Sequence, residues 1–289
     1  MTSPKSRKGP SLLARLCRAL AACLAAVAGC FLYTWITLPD VRSLRTANPV
    51  TTAFMRLRAE EDADAGREVR ANQHWVPYGR ISPALKRAVI VAEDSAFWDH
   101  KGIDVAELKI ALDTYWRLGG VLRGSSTITQ QLAKNLYLSP SRNPWRKVTE
   151  LMIARRLEAE LSKTRIFELY LNLIEWGDGI WGAEAASRIY FNRAAADLSA
   201  EQAALLAGAI INPRIYSPAH PRARLLRRQR IILARMGGPT QPTSSVPRPL
   251  PADDLKIDVP QAEAADEPRT APEPVPAPAP ETGDPDARP

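Results

Sequence analysis

Glu93 closes a short apolar run, Val89-Ile90-Val91-Ala92, and that placement suits proton transfer. A carboxylate at the end of an apolar helix loses hydration, and burial raises its pKa toward the range of a general base. Glu150 stands in a helical column, Arg146, Glu150, Ile153, Leu157, whose lower members are apolar. It should face inward or into a cleft, as half of an i,i+4 ion pair with Arg146, as part of a site, or both. Between and around the two acids lie four cations within fourteen residues: Lys134, Arg142, Arg146 and Lys147. Such a group suits a diphosphate leaving as an anion, which needs charge stabilisation and forked donors, or else contact with nucleic acid or lipid headgroups. Just upstream runs Ser126-Thr127-Ile128-Thr129-Gln130-Gln131. Thr127-x-x-Gln130 is a capping-box pattern, so a helix should open near Ser126. Ile128, Leu132 and Leu136 form its apolar stripe; Thr127, Gln130, Gln131 and Lys134 share the other side. Hydroxyls, amides and an ammonium together suit a ligand rich in oxygens.

These clusters belong to an ordered series. Glu93-Asp94-x-x-Phe97-x-x-His100-x-Gly102 is followed by Gly124-x-Ser126-Thr127-Ile128-Thr129-Gln130-Gln131, then by Arg146-Lys147-x-x-Glu150. Lys163-x-x-Ile166-Phe167-Glu168-x-Tyr170-Leu171-Asn172 and Gly182-x-Glu184-Ala185-Ala186-x-x-x-Tyr190-Phe191 complete it. Over residues 70–236 the chain resembles the peptidoglycan glycosyltransferases of glycosyltransferase family 51, found in class A penicillin-binding proteins and in monofunctional transglycosylases. Ser125 stands where that family usually has a second Gly, and Phe167 replaces a usual Leu; neither change removes a chemical group.

The resemblance implies an all-α fold: a lysozyme-like large lobe and a small membrane-contacting lobe, preceded by one transmembrane helix. It implies an inverting reaction in which a growing glycan on undecaprenyl diphosphate is the donor and lipid II the acceptor, giving β-1,4-linked strands. Glu93 and Glu150 would be catalytic, Glu93 taking the acceptor's proton. Ser126, Thr127, Gln130, Gln131, Lys134, Arg142, Arg146 and Lys147 would bind substrate, and His100 would order the loop around the base. Glu150 would orient the cations or a divalent metal (Mg or Mn), or stabilise the charged transition state; no cofactor is required. The implied partners are lipid II and the growing glycan, the membrane, and cell-wall synthesis or division proteins. A lysozyme-like lytic enzyme would also use carboxylates on a helical fold, but its leaving group is a sugar and needs no cluster of cations. A bifunctional penicillin-binding protein would need S-x-x-K and K-T-G motifs, which the sequence lacks. A non-catalytic cell-wall scaffold is the third alternative, set against two glutamates and a full set of cations.

Composition bounds the rest. With 289 residues and 45% hydrophobic content the chain can build one sizeable core plus appendages. Its net charge of +8 is uneven: residues 239–289 carry −6 and the first 238 residues +14, a basic body suited to an anionic partner. No helix-turn-helix, zinc knuckle or aromatic-interleaved basic strand points to nucleic acid. The three histidines (His74, His100, His220) have no ligand spacing, and Cys17, Cys23 and Cys30 all lie in one apolar stretch, so neither a zinc site nor a cysteine metal site is expected.

The elements that must position the acids follow from caps and periodicity. Ser82-Pro83 opens a helix through Ala92, Asp104-x-x-Glu107 the next, closed by Gly119-Gly120, and Asn143-Pro144 a long one through Leu161. Ser199-x-x-Gln202 opens another that stops at Asn212-Pro213, and a basic helix runs from Arg222 to Met236. No strand pattern is apparent. The expected organisation is a basic cytoplasmic N-terminus (1–18), a transmembrane helix (19–38), a linker (39–69), the glycosyltransferase domain (70–238) and a Pro/Ala/acidic tail (239–289) too poor in apolar residues to fold. Ala19 to Leu38 is twenty residues without a charge, matching about 30 Å of hydrocarbon. Lys5, Arg7, Lys8, Arg15 and Arg18 precede it, which keeps the N-terminus cytoplasmic and puts the domain outside the inner membrane. Ala26-Val27-Ala28 and Val27-Ala28-Gly29-Cys30 also fit cleavage signals. Cleavage before Phe31 would leave an apolar end in water, whereas an uncleaved span uses every residue to Leu38. Mass spectrometry of membrane-extracted protein should therefore find peptides from residues 1–18 still joined to the chain; an N-terminus at Gly29 or a lipidated Cys30 would refute the span.

Overall fold

A computed structural model of the chain describes residues 12–118, 126–139 and 143–237. Arg142, the Gly119-Gly120 stop, Ser125 and the 239–289 tail lie outside the described residues. The chain divides into one compact unit over residues 1–241 and a second over 242–289, and every described residue belongs to the first.

Helices dominate, as expected. In chain order they are α1 (Leu12–Thr37), α2 (Ala53–Asp64), α3 (Pro83–Glu93), α4 (Val105–Leu118), α5 (Ile128–Tyr137), α6 (Pro144–Glu160), α7 (Lys163–Leu173), α8 (Ala183–Phe191), α9 (Ala200–Ala209) and α10 (Ala223–Gly237). The caps explain most starts. Ser82, Asn143, Ser162 and Ser199 each accept a backbone N–H from the first turn of the helix they precede, and Ser199 with Gln202 forms a full capping box. Thr127 caps α5, but its box is only half made: Gln130 sends its side chain elsewhere.

The structure adds what the sequence pattern does not announce. Three short strands, β1 (Asn72–Gln73), β2 (Glu175–Gly177) and β3 (Ile180–Trp181), form a sheet in the order β1-β3-β2, parallel between β1 and β3 and antiparallel between β3 and β2. They are too short to show alternation. Helix α2 lies within the expected linker 39–69, and its mixed charges give no apolar face. That segment joins anchor and domain while packing on the domain: Val41 and Leu44 are in the core, α2 lies on α5, and Arg58 of α2 donates to Glu175 of β2 at 3.3 Å.

Helix α1 is long and apolar enough to cross a bilayer between Arg15 and Thr37. Its last turns already touch the domain. Thr34 accepts a hydrogen bond from the Trp145 indole at 2.9 Å, Phe31 meets the Trp145 ring edge-on at 4.9 Å, and Leu38 is buried.

The core centres on α7. Ile166, Phe167, Leu169, Tyr170, Leu171 and Leu173 are all fully buried, so this helix is apolar nearly all round and sits inside the domain. α5 packs on α6 and α7, while α3 packs on α9 and α10. Asn172 is the polar exception within α7. It is fully buried, accepts from Val76 N at 2.9 Å and donates to Val76 O at 3.0 Å and Glu168 O at 2.8 Å, pinning the strand-to-α3 connection. Replacing it with Leu strands the Val76 amide and carbonyl in an apolar site, at about 1–3 kcal/mol for each unpaired group. Asn172→Leu in the full chain should therefore lower the melting temperature by on the order of 5–15 °C, and a shift under about 2 °C would contradict this role.

Candidate functional site

Glu93 is the last residue of α3 and Asp94 caps that helix. Asp94 is nearly buried, and its carboxylate reaches across to α5, accepting from the Ile128 amide at 2.9 Å. An acid at a helix N-terminus meets unpaired N–H groups and the positive end of the dipole. The other Asp94 oxygen lies 2.9 Å from Nε2 of His100. Since Nδ1 of His100 accepts from Gly102 N–H at 3.1 Å, the imidazole proton sits on Nε2 and donates to Asp94. His100 thus orders the loop, as the resemblance implies.

Gly102 has φ +83°, and a Cβ there would press on Glu158 and the backbone of Ala154, so only Gly fits. Its carbonyl accepts from Thr127 Oγ1 at 2.8 Å and Gln130 Nε2 at 3.2 Å. Here the expectation of a substrate-gripping face is corrected in part. Thr127 and Gln130 are each only 2% exposed, and their polar atoms are used inside the protein. They serve as internal braces in this structure, because the Gly102 carbonyl and Lys147 of α6 take up their polar atoms.

Gln131 and Lys134 remain at the site itself. Gln131 donates through Nε2 to Glu93 Oε2 at 3.0 Å. Glu93 is half-buried yet crowded by protein atoms, and burial raises its pKa. The Gln131 hydrogen bond and the charges of Arg228 and Lys134 oppose that rise, while Asp94 adds to it. Lys86, a neighbour in sequence, does not pair with Glu93; it donates to the Tyr78 carbonyl.

The second acid is held by cations. Glu150 on α6 is 3% exposed and is paired with Lys147 through one oxygen and with Arg146 at 3.2 Å through the other. The expected ion pair with Arg146 is present, and Glu150 is turned away from bulk water. Lys147 also donates to Ser126 Oγ at 3.1 Å and Gln130 Oε1 at 3.0 Å, joining the start of α5 to α6. Lys134 lies between the acids and feels both. Burial lowers its pKa and Arg146 and Lys147 add to that, while Glu150 and Glu93 hold it up.

The structure thus brings together Glu93, Gln131 and Lys134 on one side and Ser126, Gln130, Arg146, Lys147 and Glu150 on the other. Arg142 lies outside the described residues. Sequence reasoning missed three contributors: Asp94 as the joint between α3 and α5, Tyr170 behind Gln131, and Arg228 of α10 facing Glu93. Asp94 and Tyr170 were visible inside the ordered motifs; Arg228 had no signal beyond one more charge on a basic helix. A cavity of about 600 Å³ opens beside His100, lined by Trp98, Lys101, Arg155, Glu158 and Lys163, and includes neither Glu93 nor Glu150.

Residues 62–237 match the transglycosylase family. The chain belongs to it. It is 48% identical over 189 residues to the biosynthetic peptidoglycan transglycosylase of Laribacter hongkongensis, covering 65% of this chain and 83% of the relative. Identity to the protein of that name from Dechloromonas aromatica is 49% over 200 residues, with 69% of this chain and 84% of the relative covered. For Chromobacterium violaceum it is 45% over 212 residues, with 73% and 93% covered. The matched stretch begins inside α2, so the family's domain takes in part of the segment expected to be a linker.

The electrostatic arrangement makes a pH prediction. Lys134 has a lowered pKa and loses its charge as pH rises through that value, sooner than an exposed lysine would. Glu150→Gln removes a group that keeps Lys134 protonated, so the alkaline limb of the rate–pH profile should move to lower pH. An alkaline limb that stays in place or moves up would show that Lys134 does not depend on Glu150.

Proposed function

We propose that the chain is a membrane-anchored peptidoglycan glycosyltransferase that extends a glycan on undecaprenyl diphosphate with lipid II. The observation that carries this reading is a carboxylate raised by burial, Glu93, set near an ammonium, Lys134, and a cation-bound second acid, Glu150. A hydrolase acting on a sugar leaving group would need the acids but not the cations.

In this reading the 4-hydroxyl of the acceptor GlcNAc gives its proton to Glu93 as its oxygen attacks the donor's anomeric carbon. The bond from that carbon to the diphosphate oxygen breaks on the opposite face, so an α-linked donor yields a β-1,4 product. Lys134, with Arg142 and Arg146, meets the charge of the departing diphosphate, where a charge-assisted contact counts for most. Glu150 orients Arg146 and Lys147 and limits their mutual repulsion. A divalent cation fits this donor set poorly: both Glu150 oxygens face cations, and among the described residues no three His, Cys, Asp or Glu side chains converge.

The anchor supports the same reading. Substrate and enzyme share a membrane plane when α1 spans the bilayer, with its N-terminus cytoplasmic and the domain outside the inner membrane. The docking of Thr34 and Leu38 on the domain favours a retained anchor over a cleaved leader. α4 presents Val105, Leu112 and Trp116 on one exposed face, suited to the small lobe's contact with lipid.

The deciding assay incubates the full chain in detergent or liposomes with labelled lipid II and looks for polymer that lysozyme digests. Wild type should make it. Glu93→Gln keeps the side chain's shape but cannot take the proton, and should lower the rate by about 10²–10⁴-fold while lipid II binding stays within a few-fold. Turnover above about a tenth of wild type in that variant would remove Glu93 from the role of base.

A further inference from the structure

Behind the base stands a buried phenol that the reaction itself does not use. Tyr170 is fully buried on α7, and its hydroxyl donates to Oε1 of Gln131 at 2.9 Å. The same Gln131 side chain donates through Nε2 to Glu93 at 3.0 Å. We propose that Tyr170 is a positioning residue for the general base, acting through Gln131 by locking the amide with its N–H end toward Glu93. The proposal rests on the reading of Glu93 as that base.

The reason is a count of donors and acceptors. A side-chain amide has one accepting end and one donating end, while an ionised carboxylate only accepts. With the carbonyl oxygen taken by Tyr170, the NH₂ group is the end left for Glu93. Were the amide to turn over, its carbonyl would face the carboxylate, an acceptor against an acceptor. That contact becomes favourable only when Glu93 is protonated and can donate. The turned amide would also leave the Tyr170 proton without an acceptor in a fully buried site. Tyr170 therefore penalises the protonated form of Glu93, which is the form that cannot remove a proton. Burial, with Glu93 and Asp94 nearby, holds the phenol well above its ordinary range, so it stays a donor at any working pH. The other groups facing Glu93 are Asp94 from its own chain, which disfavours ionisation, and Lys134 on α5 and Arg228 on α10, which favour it. Gln131 heads the influences that favour the charged form, so loss of its orientation should register in the titration.

The test tracks Glu93 itself as well as activity. In the full chain, ¹³C NMR of the Glu93 carboxyl, assigned by its loss in Glu93→Gln, gives the titration midpoint without any substrate. Tyr170→Phe should move that midpoint up by roughly 0.5–1 pH unit, the scale of one hydrogen bond. The acid limb of the lipid II polymerisation profile should move with it, and KM should stay within about twofold. Gln131→Met should raise the midpoint too, and adding Tyr170→Phe to it should move it no further. Placing 3-fluorotyrosine at position 170 keeps the shape and gives a stronger donor, so it should move the midpoint down. These readouts are midpoints and not amplitudes, so a smaller folded fraction cannot imitate them. An unmoved midpoint in Tyr170→Phe and with 3-fluorotyrosine, or a fully additive double variant, overturns the proposal. A wild-type chain that makes no polymer would instead sink the reading of function, while the NMR titration would still decide the role of Tyr170.

Discussion

The carboxylate of Asp94, almost out of reach of water, joins the end of α3 to the start of α5, and the placement of Glu93 depends on that joint. Each helix terminus carries backbone groups that must find partners when buried. Asp94 supplies one for the Ile128 amide, and His100 orients the acid by donating from its other side. His100 is itself fixed by the Gly102 amide, and the Gly102 carbonyl is held in turn by Thr127 and Gln130 at the same helix start. The loop between α3 and α4 is thus closed by polar contacts that satisfy one another. Glu93, one residue before this joint, is left facing Gln131 and Lys134 from a backbone that has little freedom to move.

The same scarcity of water sets the chemistry. Burial drives Glu93 up and Lys134 down, so each group is pushed toward its neutral form. Their proximity pulls both back toward the charged forms. In the proposed reaction, a base that is ionised yet willing to take a proton and an ammonium still charged beside a diphosphate would require that balance. Glu150 is buried more completely and is stabilised by Arg146 and Lys147, an arrangement in which losing either partner leaves a charge poorly compensated.

The anchor is part of this construction. Trp145 begins the helix that carries Arg146, Lys147 and Glu150, and its indole is bound to Thr34 near the end of α1. Arg156, further along α6, donates to the Leu38 carbonyl where α1 has just ended. Arg165 on α7 then holds the chain beyond the anchor through the carbonyls of Leu44 and Ala47. The helix bearing the cations is therefore tied directly to the helix suited to the bilayer.

Much of this was legible in the sequence, where local chemistry carries the message. Caps at Ser82, Thr127, Asn143 and Ser199 placed helix starts, and Ile128, Leu132 and Leu136 marked a buried stripe, because both signals act within a turn or two. The apolar run before Glu93 forecast its raised pKa for the same reason. Strands of two or three residues and the mixed helix α2 gave no such signal, since they form only against the rest of the domain. Nor could the sequence divide the polar side of α5. Thr127 and Gln130 turn inward because α6 and the Gly102 loop cover them, and Gln131 faces Glu93 because Tyr170, thirty-nine residues later, occupies its other end. Residue type and local spacing picked out which groups could take a proton or meet a diphosphate. Tertiary packing alone decided which of them stay at the site, because hydrogen-bond partners far apart in the chain become neighbours only when the core closes.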